Sequence, residues 1–185
     1  MLRQWLQVLS PVVFLGLSFW PLVWPTLAAD KLIGFHSART MSQAMPWIAE
    51  EAGLFRKYDL EFQLVYISSA PLVTAALLGG DAQIAISGGE AIIRAHAQGA
   101  TDLVFVGSAK NTLTHSILGK PEIKRPEDLK GKKLGVSRLG SNSHYFVLQV
   151  LRRYGLEPSD MHFIQTGGQV ENLAALFSGN VDAAT

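Results

Sequence analysis

The chain has no cysteine among its 185 residues. A disulfide scaffold, a thiolate metal site, a thiol nucleophile and a lipoprotein anchor are therefore excluded together. Charge is also sparse, at 17% Asp, Glu, Lys and Arg, with a net charge of +1. Neither sign is in excess, so nothing points to nucleic acid or a polyanionic partner. The common catalytic signatures are missing too. There is no G-x-S-x-G elbow, no P-loop and no G-x-G-x-x-G. His36, His96, His115, His144 and His162 show no metal-binding spacing. Glu50-Glu51 and Glu127-Asp128 are adjacent pairs on predicted helices, and adjacent residues do not face one another for acid–base work. No cofactor is called for.

What is present is apolar surface. Hydrophobic residues make up 48% of the chain, which excludes disorder and supplies a core. The length suits one domain or one and a fraction. Residues 1–29 differ from the rest. Arg3 is their only charge, Val8 to Trp24 is apolar, and small residues close the stretch at Leu27-Ala28-Ala29. This predicts a secretory signal cut after Ala28 or Ala29. An uncleaved anchor is the alternative, but Pro11, Pro21 and Pro25 would interrupt a spanning helix. Taking Arg3 from the 16 basic residues balances the 15 acidic ones.

From Lys31 onward, short apolar runs alternate with helical patterns. Strands are expected at Leu32–Phe35, Glu61–Ile67, Gln83–Ile86, Leu103–Val106, Ser116–Leu118, Lys133–Val136 and Met161–Ile164. Amphipathic helices are expected at Trp47–Tyr58, Leu72–Leu78, Glu90–Gln98, His144–Tyr154 and Gln169–Ser178. Such alternation implies an α/β fold with a largely parallel sheet.

The pattern also repeats at an offset of roughly one hundred residues, which means two related lobes rather than a solenoid. Gly34 and Gly135 open matching strand–loop–helix units that end at Gly53-Leu54 and Gly155-Leu156. The next helix ends at Gly79-Gly80-Asp81-Ala82 in one unit and at Ser178-Gly179-Asn180-Val181 in the other. A polar, proline-bearing stretch from Lys120 to Lys133 separates them. The expected organisation is a signal peptide (1–29), a first lobe (30–119) and a second lobe (120–185). The second lobe is expected to be incomplete, stopping within the strand that matches Ala82–Ile86.

In open parallel sheets, ligands bind beyond the carboxyl ends of the strands. The loops there are rich in hydroxyls, glycines and free N–H groups, which suit a small anion. In the first lobe they offer Ser37, Arg39 and Thr40, then Ser68 and Ser69, then Ser87, Gly88 and Gly89, and then Lys110. In the second lobe they offer Arg138, Ser141 and Asn142, then Thr166 and Gly168. Any one of these loops alone reads more readily as ordinary capping and turn chemistry, whereas the set, aligned between two lobes, reads as a ligand cleft. Trp47 reads as helix packing or as a wall of the cleft.

Several runs carry a family resemblance. Ala49-Glu50-Glu51-Ala52-Gly53-Leu54-Phe55-Arg56-Lys57-Tyr58-Asp59-Leu60 resembles the first helix of substrate-binding proteins of the nitrate/sulfonate/bicarbonate and thiamine-precursor ABC transporters. Leu77–Ala85 and Asp128–Val136 resemble two further segments of that family, in the same order. The resemblance implies a two-lobed type II periplasmic-binding fold, a small solute held between the lobes and a membrane permease as partner. It implies a monomeric periplasmic receptor with no enzymatic activity. Two rivals share the fold. One is a periplasmic sensor input domain. The other is a thiamine-pyrimidine synthase, which depends on a cysteine-bearing site that this chain lacks.

Overall fold

The computed structural model describes residues 29–185. Apart from Ala29, the expected signal peptide lies outside the described residues. The first sheet contains β1 (Asp30–His36), β2 (Leu60–Tyr66) and β3 (Ile84–Ile86). Its order is β2-β1-β3, all parallel. Between and after these strands run α1 (Met45–Glu51), α2 (Leu54–Lys57), α3 (Ala70–Leu78) and α4 (Gly89–Ala97). The second sheet contains β4 (Leu118–Gly119), β5 (Lys133–Val136), β6 (His162–Gln165) and β7 (Ala183–Ala184), with α5 (Asn142–Arg153) and α6 (Gln169–Phe177). Its order is β4-β7-β5-β6, and only β4 runs antiparallel, against β7.

The two sheets repeat one plan. Gly34 of β1 pairs with Leu64 and Ile84, and Gly135 of β5 pairs with Ile164 and Ala184. In each case the first strand is central and its two successors flank it. Gly34 is needed for packing: a Cβ there would stand 2.5 Å from the Phe62 ring, which is itself stacked on Phe55. Gly53 and Gly155 sit at matched helix ends with φ of 68° and 65°, a left-handed conformation that glycine adopts without strain.

Each lobe has its own core. Phe35, Val73 and Ala82 are buried in the first. Leu134, Val136, Val147, Leu151, Leu156 and Met161 are buried in the second, against Leu129. The periodicity of α5 therefore turns Val147 and Leu151 inward, while Tyr154 caps the helix end and stays exposed.

Local structure departs from the sequence pattern in three places. The expected helix Trp47–Tyr58 is broken by Gly53 into α1 and α2. The strand expected at Ser116–Leu118 is only Leu118–Gly119. Leu103–Val106 forms no strand. β-Branched composition favours a strand only where a neighbour can take its backbone hydrogen bonds. Among the described residues no strand pairs with the outer edge of β3. Val104, Phe105 and Val106 are left 76%, 59% and 82% exposed, with the Phe105 ring against Gly89. Among the described residues, no helix is long and apolar enough to cross a membrane, and no side-chain cluster could hold a metal ion.

Candidate functional site

The carboxyl ends of β1, β2 and β3 gather three serines. Ser37 N–H donates to the Ile86 carbonyl, and Ser69 N–H donates to the Ser37 carbonyl. This brings the starts of the loops after all three strands side by side. Gln43 holds the first loop: its Oε1 accepts from the N–H groups of Ser37 and Ala38, both at 2.9 Å. Its Nε2 donates to Ser37 Oγ at 3.0 Å.

Ser69 is unusual. Its φ is 75°, a region that non-glycine residues rarely occupy, and it is 4% exposed. It stands at the N-cap of α3, yet its side chain caps nothing and its buried Oγ has no hydrogen-bond partner. The first turn of α3 has no acidic residue. The Ser87 hydroxyl is buried and unpartnered as well. Buried polar atoms without partners are uncommon.

The starts of the other helices are treated differently. At α4, the Glu90 carboxylate folds back over Gly88, and burial holds it above the ordinary carboxylate range despite a hydrogen bond from Asn142. At α6, the Glu171 carboxylate folds back over Gly168. Each of these helix starts is thus met by its own carboxyl group. At α5, the Ser141 hydroxyl accepts from His144 N–H. It also belongs to a buried cluster with Ser137 and Ser143, each pair 2.9 Å apart. Of these four helices, α3 alone presents an uncapped start free of carboxylate.

The lobes meet at these loops. Asn142 Nδ2 donates to Glu90 Oε2 at 3.0 Å. Arg94 reaches Gly140, and its charge, after burial, holds His144 below the usual imidazole range. His115, in the segment joining the sheets, lies 3.3 Å from Gln169 Nε2. Burial, then the Lys110 charge, pushes its imidazole down. A recess of about 180 Å3 opens between Arg39, Thr40 and Tyr66 on one side and Gln169, Val170 and Leu173 on the other. The Arg39 guanidinium lies 4.3 Å from the centre of the Tyr66 ring. Burial, then Glu171, raises the Tyr66 phenol.

The sequence-predicted residues therefore divide. Ser37, Ser69 and Ser87 converge, with Ser68, Gly88 and Gly89 adjoining them in the chain. Arg39 and Thr40 line the recess, with Gly168 beside Tyr66. Asn142 bridges the lobes. The Arg138 Nε is buried without a partner. Ser141 and Thr166 turn inward, the Thr166 hydroxyl donating to Asn172 Oδ1, with the carbonyls of Gly168 and Val136 as longer alternatives. Lys110 stands aside, bonded to Thr114 at 2.8 Å. Tyr66 and Glu90 were not singled out from the sequence. Tyr66 was within reach, since it ends β2 beside the Ser68-Ser69 loop.

Comparisons with known proteins give the family and the fold. The model of the family described as NMT1/THI5 like matches residues 42–185. The taurine-binding periplasmic protein of Escherichia coli (strain K12) is 29% identical over 147 residues, covering 78% of this chain and 42% of that protein. The alkanesulfonate-binding protein SsuA from Xanthomonas axonopodis pv. citri, bound to MOPS, superposes with a TM-score of 0.67 at 25% identity, over 84% of this chain and 54% of that one. The periplasmic aliphatic sulphonate binding protein SsuA from Escherichia coli gives 0.55 at 26%, over 84% and 53%. The chain thus spans about half the length of these relatives. It belongs to the NMT1/THI5-like family and has the α/β periplasmic-binding-protein fold.

Proposed function

We propose that this chain is the solute-capturing part of a periplasmic receptor that delivers a small organic acid to an ABC transporter permease. The observation that carries the reading is Ser69. Its strained backbone places a buried, unpartnered hydroxyl at a helix start that no carboxylate occupies, beside the equally unpartnered Ser87. Free N–H groups at such a start, together with hydroxyl donors, favour a negatively charged group. Arg39, which lines the recess between the lobes, supplies a cation. The relatives add direction, since their names record taurine, alkanesulfonate and aliphatic sulphonate as ligands. The binder acts as a monomer, captures rather than converts its solute, and reaches the periplasm through its N-terminal segment. The sensor and synthase readings draw no support from the relatives named above.

Thermal-shift measurement with taurine, ethanesulfonate, acetate and nitrate tests this. A ligand at a hundred times its Kd adds about 2.7 kcal/mol to the stability of the folded state. For a chain of this size that is roughly 5–10 °C in Tm. The bound acid should lose affinity in Ser69→Ala by about tenfold or more, the worth of a hydrogen bond to a charged group. No shift with any small acid at millimolar concentration would refute the proposal.

A further inference from the structure

We propose that the open groove behind Arg39 holds the organic substituent of the solute and selects a flat aromatic ring over a short alkyl chain. This rests on the acid-binding reading above and extends it to the rest of the ligand. The groove measures about 690 Å3 and shares Arg39, Thr40 and Tyr66 with the recess between the lobes. Open as it is, that space is wide enough to lay an organic substituent against its wall and exceeds the needs of an inorganic anion.

Its wall is aromatic. The His36 ring meets Trp47 edge-on at 4.5 Å and Tyr66 at 5.1 Å. Met41, 84% exposed, and Leu64 complete an apolar lining. Trp47 is 38% exposed, so part of its ring remains uncovered. Arg39 joins the two spaces. Stacked on Tyr66, it has no side-chain hydrogen bond or ion pair among the described residues, so the edge of its planar guanidinium is available to an acid group. An acid held at that edge directs its substituent along the aromatic wall, where offset or edge-on ring contacts add to apolar burial.

The chain has four tryptophans, and Trp47 is the only one among the described residues. Its emission, taken as the difference between the natural full chain and Trp47→Phe, excludes Trp5, Trp20 and Trp24. Benzenesulfonate and ethanesulfonate are titrated by calorimetry and by this difference signal. Benzenesulfonate is expected to bind about tenfold more tightly and to shift Trp47 emission. Trp47→Ala should bring the two affinities within about threefold, while Trp47→Phe, which keeps a ring, retains the preference. If ethanesulfonate binds and benzenesulfonate binds equally or more weakly, the substituent pocket is wrong and the acid-binding reading stands. A preference unchanged in Trp47→Ala also overturns it. If neither binds, the acid-binding reading fails and this inference falls with it.

Discussion

Asn172 should behave as a buried polar keystone, and substitution with the residue found at its counterpart will measure its worth. It is the fourth residue of α6 and is fully buried. The fourth residue of α3, in the matching helix, is Val73, also fully buried. Asn172 ties three segments together. Its Oδ1 accepts from Thr166 after β6, and its Nδ2 donates to the carbonyl and hydroxyl of Thr185 after β7, at 3.0 and 3.1 Å. Asn172→Val copies the first lobe but abandons these bonds. The Thr166 hydroxyl keeps longer alternatives at Gly168 and Val136, 3.3 and 3.4 Å away. The Thr185 groups lose the Asn172 amide. Leaving a buried group unsatisfied costs about 1–3 kcal/mol. The apolar side chain recovers part of that, so we expect a net loss of about 1–2 kcal/mol. Asn172→Ala has no such recovery and should lose about 2–3 kcal/mol. With a urea m-value near 2 kcal/mol/M, the midpoints fall by about 0.5–1.5 M. Adding Thr166→Val to Asn172→Val should be less than additive, because both changes remove one shared bond. A valine variant as stable as the natural chain would refute the reasoning.

Two further predictions concern stability. Asp182 accepts from Lys120 Nζ at 2.7 Å and from Lys133 N–H at 2.9 Å, which hold its carboxyl below the usual range. Its contribution is therefore fully present above the unfolded-state pKa and is lost as pH falls through the lower folded value. Asp182→Asn should cost about 1–2 kcal/mol at pH 7 by urea unfolding, and the gap to the natural chain should close in acid. An equal gap at pH 7 and pH 2 would contradict the assignment. Leu151→Ala, at a fully buried position in the second core, should cost about 2–4 kcal/mol, measured by the same method.

The fold was largely legible because its strongest signals are periodic. Val147 and Leu151 announce the buried face of α5, and matched glycines such as Gly53 and Gly155 announce the duplication. The strand expected at Leu103–Val106 did not form: propensity is local, whereas a strand depends on pairing, and among the described residues this segment pairs with no strand. The site was legible as a set of loops but less so as side chains. A serine after a strand can be left buried without a partner, as Ser69 is, or close on its neighbours, as Ser141 does with Ser137 and Ser143. Residue type is the same in both, and only tertiary packing separates them. Glu90 reads as an ordinary first-turn acid. Its bond to Asn142 arises only when the second lobe is in place.

That bond also bears on how readily the lobes separate. Between the starts of α4 and α5, the direct polar bridge is a single amide-to-carboxylate contact. A contact of this kind is worth about 1–3 kcal/mol, so it biases the occupancy of the joined arrangement by roughly five- to hundredfold. A solute of micromolar affinity brings about 8 kcal/mol. On the receptor reading, a solute that contacts both lobes would therefore outweigh this bridge. Glu90 and Asn142 would set the proportion of empty molecules standing with the lobes together, while the solute would decide how the rest respond.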